Sequence, residues 1–142
     1  MYVGSNKQGG EASQILVDLA NPGFYLTLKT TRYRGVYQWS KSSTYKQIGS
    51  KSRPVTKVVN GESLTGWEAQ DLFGLQSEAN QVMVTTDFFI VKASSVSTNP
   101  AVNGIIGLAP ASNETSSYVE ELYQGGHIHS QVISFFFTDG NE

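Results

Sequence analysis

Alternation with a period of two runs through most of this chain and restricts it largely to strands. Between Asn80 and Lys92 apolar and polar residues exchange through Val82, Val84 and Phe88, the pattern of a ribbon with one buried face. Phe24 to Thr31 reads as a further strand, and Pro54 to Leu75 as two strands around Asn60-Gly61-Glu62-Ser63. Tyr2 to Asn6 and Ala12 to Leu19 flank Gln8-Gly9-Gly10-Glu11, where paired glycines supply the positive φ angles of a hairpin turn. Phe135-Phe136-Phe137 is expected as a buried strand. The polar run Ser40 to Tyr45 has room for a helical turn only. One stretch has helical spacing: Ser117 to Gly125 carries Tyr118, Val119, Leu122 and Tyr123 at i, i+1, i+4 and i+5, a capping-box spacing at Ser117 and Glu120, and a glycine stop. The expectation is an all-β domain with one short helix near 117–124.

With 142 residues, 39% hydrophobic and 15% charged, the chain has the size and composition of one domain with one core. Its net charge of −2 leaves no electrostatic footprint for nucleic acid, and the basic residues, among them Lys46, Lys51 and Lys57, are scattered through polar stretches. Without cysteine there is no disulfide framework, thiolate metal site or cysteine nucleophile. No apolar run approaches the roughly 20 residues of a membrane helix, so no membrane partner is expected. Asn113-Glu114-Thr115 matches the short N-glycosylation triplet.

The chemistry centres on Ser13 to Leu26. Ile15-Leu16-Val17 runs into Asp18, then Leu19-Ala20, a turn signal at Asn21-Pro22-Gly23, and a second apolar strand. An ionised carboxylate in an apolar strand must find hydrogen-bond donors or take up a proton, so Asp18 is either a strand-end turn residue satisfied by backbone amides or a working group. Other constellations are weaker. His127-x-His129 would put two imidazoles on one strand face, but no third ligand is placed by the sequence, so no metal is expected. No Gly-x-Ser-x-Gly elbow and no phosphate-loop spacing occurs. The aromatics Phe24, Tyr25, Trp39, Trp67, Phe73, Phe88 and Phe89 read as core or groove lining.

Six short motifs stand in one order: Tyr2-x-Gly4; Val17-Asp18-Leu19-Ala20-Asn21; Ser42-Ser43-Thr44-Tyr45; Ser63-Leu64-Thr65-Gly66 followed by Asp71; Asn103-Gly104-Ile105-Ile106-Gly107-Leu108; and Ser134-Phe135-Phe136-Phe137. In this order and near this spacing they resemble the amino-terminal lobe of a pepsin-like aspartic protease. The resemblance covers essentially the whole chain. It implies a double-psi type β-barrel or sandwich spanning 1–142, with 138–142 starting an interlobe linker, and the structured sequence next to Met1 fits an excised mature domain. It implies a second lobe as partner, from the same parent chain or as a homodimer, a peptide or protein ligand in the groove, no cofactor, and a secreted or vacuolar/lysosomal location.

The activity so implied is peptide-bond hydrolysis by two carboxylates, one from each lobe, which share a proton and activate a water. By position Asp18 corresponds to the catalytic Asp of this lobe. The rest of its loop departs from the family's Asp-Thr/Ser-Gly pattern. Leu19 stands where a Thr hydroxyl bonds across to the opposite loop, Ala20 where Gly allows close backbone approach, and Asn21 where a Ser bonds the outer carboxylate oxygen. The corresponding flap places Val59 where a Tyr closes over substrate and Asn60-Gly61-Glu62 at the tip, with Tyr25 where a Trp supports that Tyr. The expectation is half of a proteolytic site, impaired here and inactive alone, or a pseudoprotease module that binds peptide or protein without cleaving it.

Overall fold

The structure, a computed structural model, describes residues 2–4, 10–11, 15–28, 37–59, 61–74, 82–94, 104–112, 115 and 117–136. Asn60, Asn103, Asn113, Phe137 and the expected linker 138–142 lie outside the described residues, as do the ends of several expected strands.

Nine strands form one mixed sheet, and among the described residues it does not close on itself. They are β1 Tyr2–Val3, β2 Gly10–Glu11, β3 Leu16–Asp18, β4 Pro22–Thr27, β5 Lys46–Gln47, β6 Val55–Val59, β7 Glu62–Gly74, β8 Val84–Ser94 and β9 Gly104–Leu108. The helix α1, Tyr118–Gln124, and a single 3₁₀ turn at Trp39–Lys41 complete the described regular structure. The all-β character with one short helix is therefore present. The main path runs β2-β1-β7-β8-β4-β9-β3, with β5 and β6 also paired to β7.

Long β7 is the spine, because beyond the bulge at Thr65/Gly66 its alternation Trp67, Ala69, Asp71, Phe73 turns one row inward. That row joins Phe24, Leu26, Leu28, Tyr37, Phe88, Ile90, Ile106 and Tyr118 in the main core. The opposite parity of β4 and β8 gives a second, smaller cluster of Tyr25, Val59, Leu64, Phe89 and Val91 on the other face. The β6–β7 hairpin supplies Val59 and Leu64 to that cluster, so it folds over this second face.

Five expectations are corrected. Gly10 and Glu11 belong to a strand paired with Val3 and Tyr2, not to the turn. Leu16–Asp18 pairs in parallel with β9 rather than with the amino-terminal strand, since Ile105-Ile106 offers a longer apolar partner. Phe135 and Phe136 are in no strand and are 46% and 90% exposed, because none of the described strands lies against them. His127 and His129 follow α1 in a turn and bend, so they share no strand face. At α1 the expected capping box also goes unused: the Ser117 side chain makes no cap hydrogen bond, and its carbonyl accepts from Glu121 N–H at 3.1 Å. The left-handed residue after the helix is Gly126, at φ 71°, and not Gly125.

Candidate functional site

The strand order β4-β9-β3 inserts β9 between two strands that are consecutive in the chain. The loop from Asp18 to Asn21 must therefore step over β9 to reach β4. It crosses at Gly107, and a Cβ there would lie 2.4 Å from the Asn21 carbonyl oxygen and 2.6 Å from that of Gly23. No side chain fits, which is why the apolar Ile105-Ile106 run must end in glycine.

Register then defines the site. Asp18 lies opposite Gly107, which lies opposite Gly23, so the row across three strands carries one side chain. The next row, Leu16, Ile105 and Tyr25, shares its face, because residues two apart on a strand point the same way. Asp18 thus stands on a bare backbone platform on the face that carries Tyr25 and that the β6–β7 hairpin covers.

The Asp18 carboxylate is 8% exposed and is held by its own loop. Oδ1 accepts from the Ala20 N–H at 2.8 Å and the Asn21 N–H at 3.2 Å, and Oδ2 accepts from Asn21 Nδ2 at 3.0 Å. Such an Asx-type turn explains why the strand stops here: the side chain takes the amides that a longer ladder would use. Leu19 and Ala20, which make the bend, are exposed, Leu19 at 62%. Leu16 and Val17 are exposed apolar residues as well, although they belong to a strand.

Of the hairpin residues, Val59 is buried in one cluster with Tyr25, Gly61 turns the tip at φ 79°, and Glu62 pairs opposite Val59. Glu62 Oε1 is buried with no hydrogen-bond partner among the described residues. The Tyr25 phenol is pushed above its ordinary value, chiefly by burial; Lys57 lowers it, while Glu68 and Asp18 raise it further. Asp18, Tyr25, Val59 and Glu62 thus belong to one face. Among the described residues no set of three His, Asp or Glu side chains is arranged to hold a metal ion. No described helix is long and apolar enough to cross a membrane.

Two features were not read from the sequence. Lys57 pairs with Glu68 across the hairpin on this same face. A second buried carboxylate, Asp71, accepts from the Tyr37 hydroxyl at 2.6 Å, from the Thr44 hydroxyl, and from the Leu72 N–H at 2.8 Å. The signal for Asp71 was its place in the inward row Trp67, Ala69, Asp71, Phe73, where a carboxylate needs partners. No protein-family model matches the chain, and no curated protein matches its sequence.

Proposed function

We propose that this chain is one lobe of a pepsin-like aspartic endopeptidase, in which Asp18 is half of a two-carboxylate site completed by a second lobe of the same parent or by a second copy. The observation that carries the reading is the Asp18 loop itself. It is a carboxylate on a glycine platform, reached by a loop that steps over an inserted strand, with donors to both oxygens and a hairpin folded over the same face. Each lobe of such an enzyme contributes one carboxylate, and the pair shares a proton so that one member accepts a proton from water while the other donates to the peptide carbonyl oxygen. Asp18 enters such a pair with both carboxylate oxygens held by its own loop. This chemistry calls for no cofactor.

Two exposed apolar segments support the need for a partner. Leu16, Val17 and Leu19 lie on the edge strand and its loop, and Phe136 lies in an unpaired segment. Leaving a residue such as Phe136 in water forgoes about 2 kcal/mol relative to burying it. An edge strand with apolar side chains is a surface that seeks pairing, and a symmetric pairing would bring Asp18 near its own copy.

A second reading, a binding module without cleavage, is favoured by Leu19 and Val59. Neither has a hydroxyl to offer to a neighbouring loop or a substrate. The two readings part in one experiment. Sedimentation at micromolar concentration should show self-association that Ala20→Lys weakens, and the associated form, given a denatured protein between acidic and neutral pH, should cleave it in a manner lost in Asp18→Ala. Association without cleavage selects the binding module. A chain that stays monomeric at millimolar concentration overturns completion by a second copy, and a monomer whose activity depends on Asp18 overturns the half-site.

A further inference from the structure

On the face that carries Asp18, with Gly23 of the same row in its lining, lies a half-open hollow of about 80 Å³ that Tyr25 and Phe89 also line. The rings meet edge to face with centroids 6.2 Å apart. Three charged side chains complete the lining: Lys57 from the hairpin, Glu68 from β7 and Asp87 from β8. One water needs only about 10–15 Å³ of such space, so the hollow holds more than a single small polar group. That is room for an ammonium group with one or two methylenes.

An ammonium is already seated there. Lys57 Nζ pairs with Glu68 Oε1 and stands 5.2 Å from the centre of the Phe89 ring. This combination of a carboxylate and a ring face is the one that recognises alkylammonium ions. Two carboxylates line the hollow against one cation, and Asp18 adds a third negative group on the same face. Asp87 is exposed and accepts from Gln70 Nε2 at Oδ1, 2.7 Å. Yet Lys57 is not locked in. The Lys57 and Glu68 side chains are 35% and 37% exposed, and pairs of that kind hold weakly.

We propose that this hollow is a subsite for a primary ammonium, that of a lysine side chain on a bound peptide, with Glu68 and Asp87 as counter-charges and Lys57 as the placeholder that the incoming lysine displaces. That the ligand is a peptide rests on the aspartic-protease reading; the ammonium site itself does not. The neighbouring Asp18 would then meet peptides carrying a lysine at a fixed distance from the point where the carboxylate works.

NMR titration of the full chain with n-butylammonium, against n-butanol as the neutral probe of similar shape, tests the site without passing through peptidase activity. In Lys57→Met the placeholder is gone, and saturable shifts at the Tyr25 and Phe89 rings are expected, with affinity about tenfold above the unaltered chain. Adding Glu68→Gln to Lys57→Met should remove them, and a melting curve for each variant establishes that it is folded. A capped lysine peptide should then bind Lys57→Met more tightly than its norleucine counterpart. Equal shifts with butanol, or none with the ammonium in a folded Lys57→Met variant, overturn the inference. A protein that binds the amine and never cleaves a peptide keeps this inference and loses only the proteolytic reading.

Discussion

Among the described residues the sheet buries two aspartates, Asp18 and Asp71, and they are held in opposite ways. Asp71 sits inside β7 and takes its side-chain donors from Tyr37 and Thr44, 34 and 27 residues away. Asp18 sits at the end of β3 and takes its donors from within three residues. The first arrangement exists only when distant segments have come together, so its hydrogen bonds report on the fold. The second is assembled by one turn and would survive large changes elsewhere. A group meant to act must be free of the fold's needs, and by that measure Asp71 is the structural carboxylate and Asp18 the one left to the proposed site.

The largest effect expected from this contrast is that of Asp71→Ala. It removes the acceptor for a buried Tyr37 hydroxyl and for Thr44 in a site that is 1% exposed. A loss of about 3 kcal/mol follows, lowering the melting temperature by about 10 °C. Asp18→Ala removes the acceptor of the Ala20 and Asn21 amides at an exposed bend, and thermal unfolding should show a smaller fall, of about 1 kcal/mol. Equal losses for the two variants would erase the distinction.

The same contrast marks how far the sequence could be read. The hairpin of β6 and β7 was legible, because alternation on both sides of Asn60-Gly61 leaves one arrangement. So was the helix, from the spacing of Tyr118, Val119 and Leu122. The parallel pairing of β3 with β9 was not, because Leu16-Val17-Asp18 is too short to specify a partner some 90 residues away. Phe135 and Phe136 misled for another reason. An apolar triplet signals that something covers it, not that the cover comes from the same chain. At the site, Asp18 and its loop stood out as an expensive charge between apolar residues. The Lys57–Glu68 pair did not, because scattered charges in strands carry no address until register brings them together.

Gly107→Ala probes the platform rather than the carboxylate. Its Cβ would meet Asn21 and Pro22 backbone at 2.4 and 2.6 Å, and backbone cannot yield as a side chain can. A loss of about 2 kcal/mol is expected, together with altered NMR shifts at Asp18 and Asn21. The Asp71 network should be untouched. Perturbation reaching Tyr37 would mean that the two regions are coupled.

Alkaline pH separates them by titration. The Tyr37 phenol is pushed far above its ordinary value, by burial first and then by its hydrogen bond to Asp71. Because the folded value is raised, the unfolded chain releases its proton first as pH rises. The contribution is thus intact below about pH 10 and is lost above it, at roughly 1.4 kcal/mol per pH unit. Urea unfolding across that range should show the slope, and Tyr37→Phe should flatten it. An unchanged slope would place the alkaline sensitivity elsewhere, with the raised phenols of Tyr25 and Tyr45 the next to examine.

The smallest effect belongs to the paired change Leu19→Thr with Ala20→Gly, which introduces the hydroxyl and the glycine of the pepsin-like loop that the proposed function invokes. Leu19 is 62% exposed and packs in neither buried cluster, so shortening it leaves no cavity. The Ala20 N–H that bonds Asp18 Oδ1 belongs to the backbone and remains after the change to glycine. What the pair does alter is backbone freedom, since glycine at a bend loses more entropy on folding, about 0.5–1 kcal/mol. Thermal unfolding should therefore move by no more than a few degrees. The new hydroxyl gains a partner only across an interface, so its benefit should appear as tighter self-association and not as a higher melting temperature of the dilute chain. Unfolding of the double variant would mean that Leu19 is held by something it touches, and that the loop belongs with Asp71 among the parts the fold depends on.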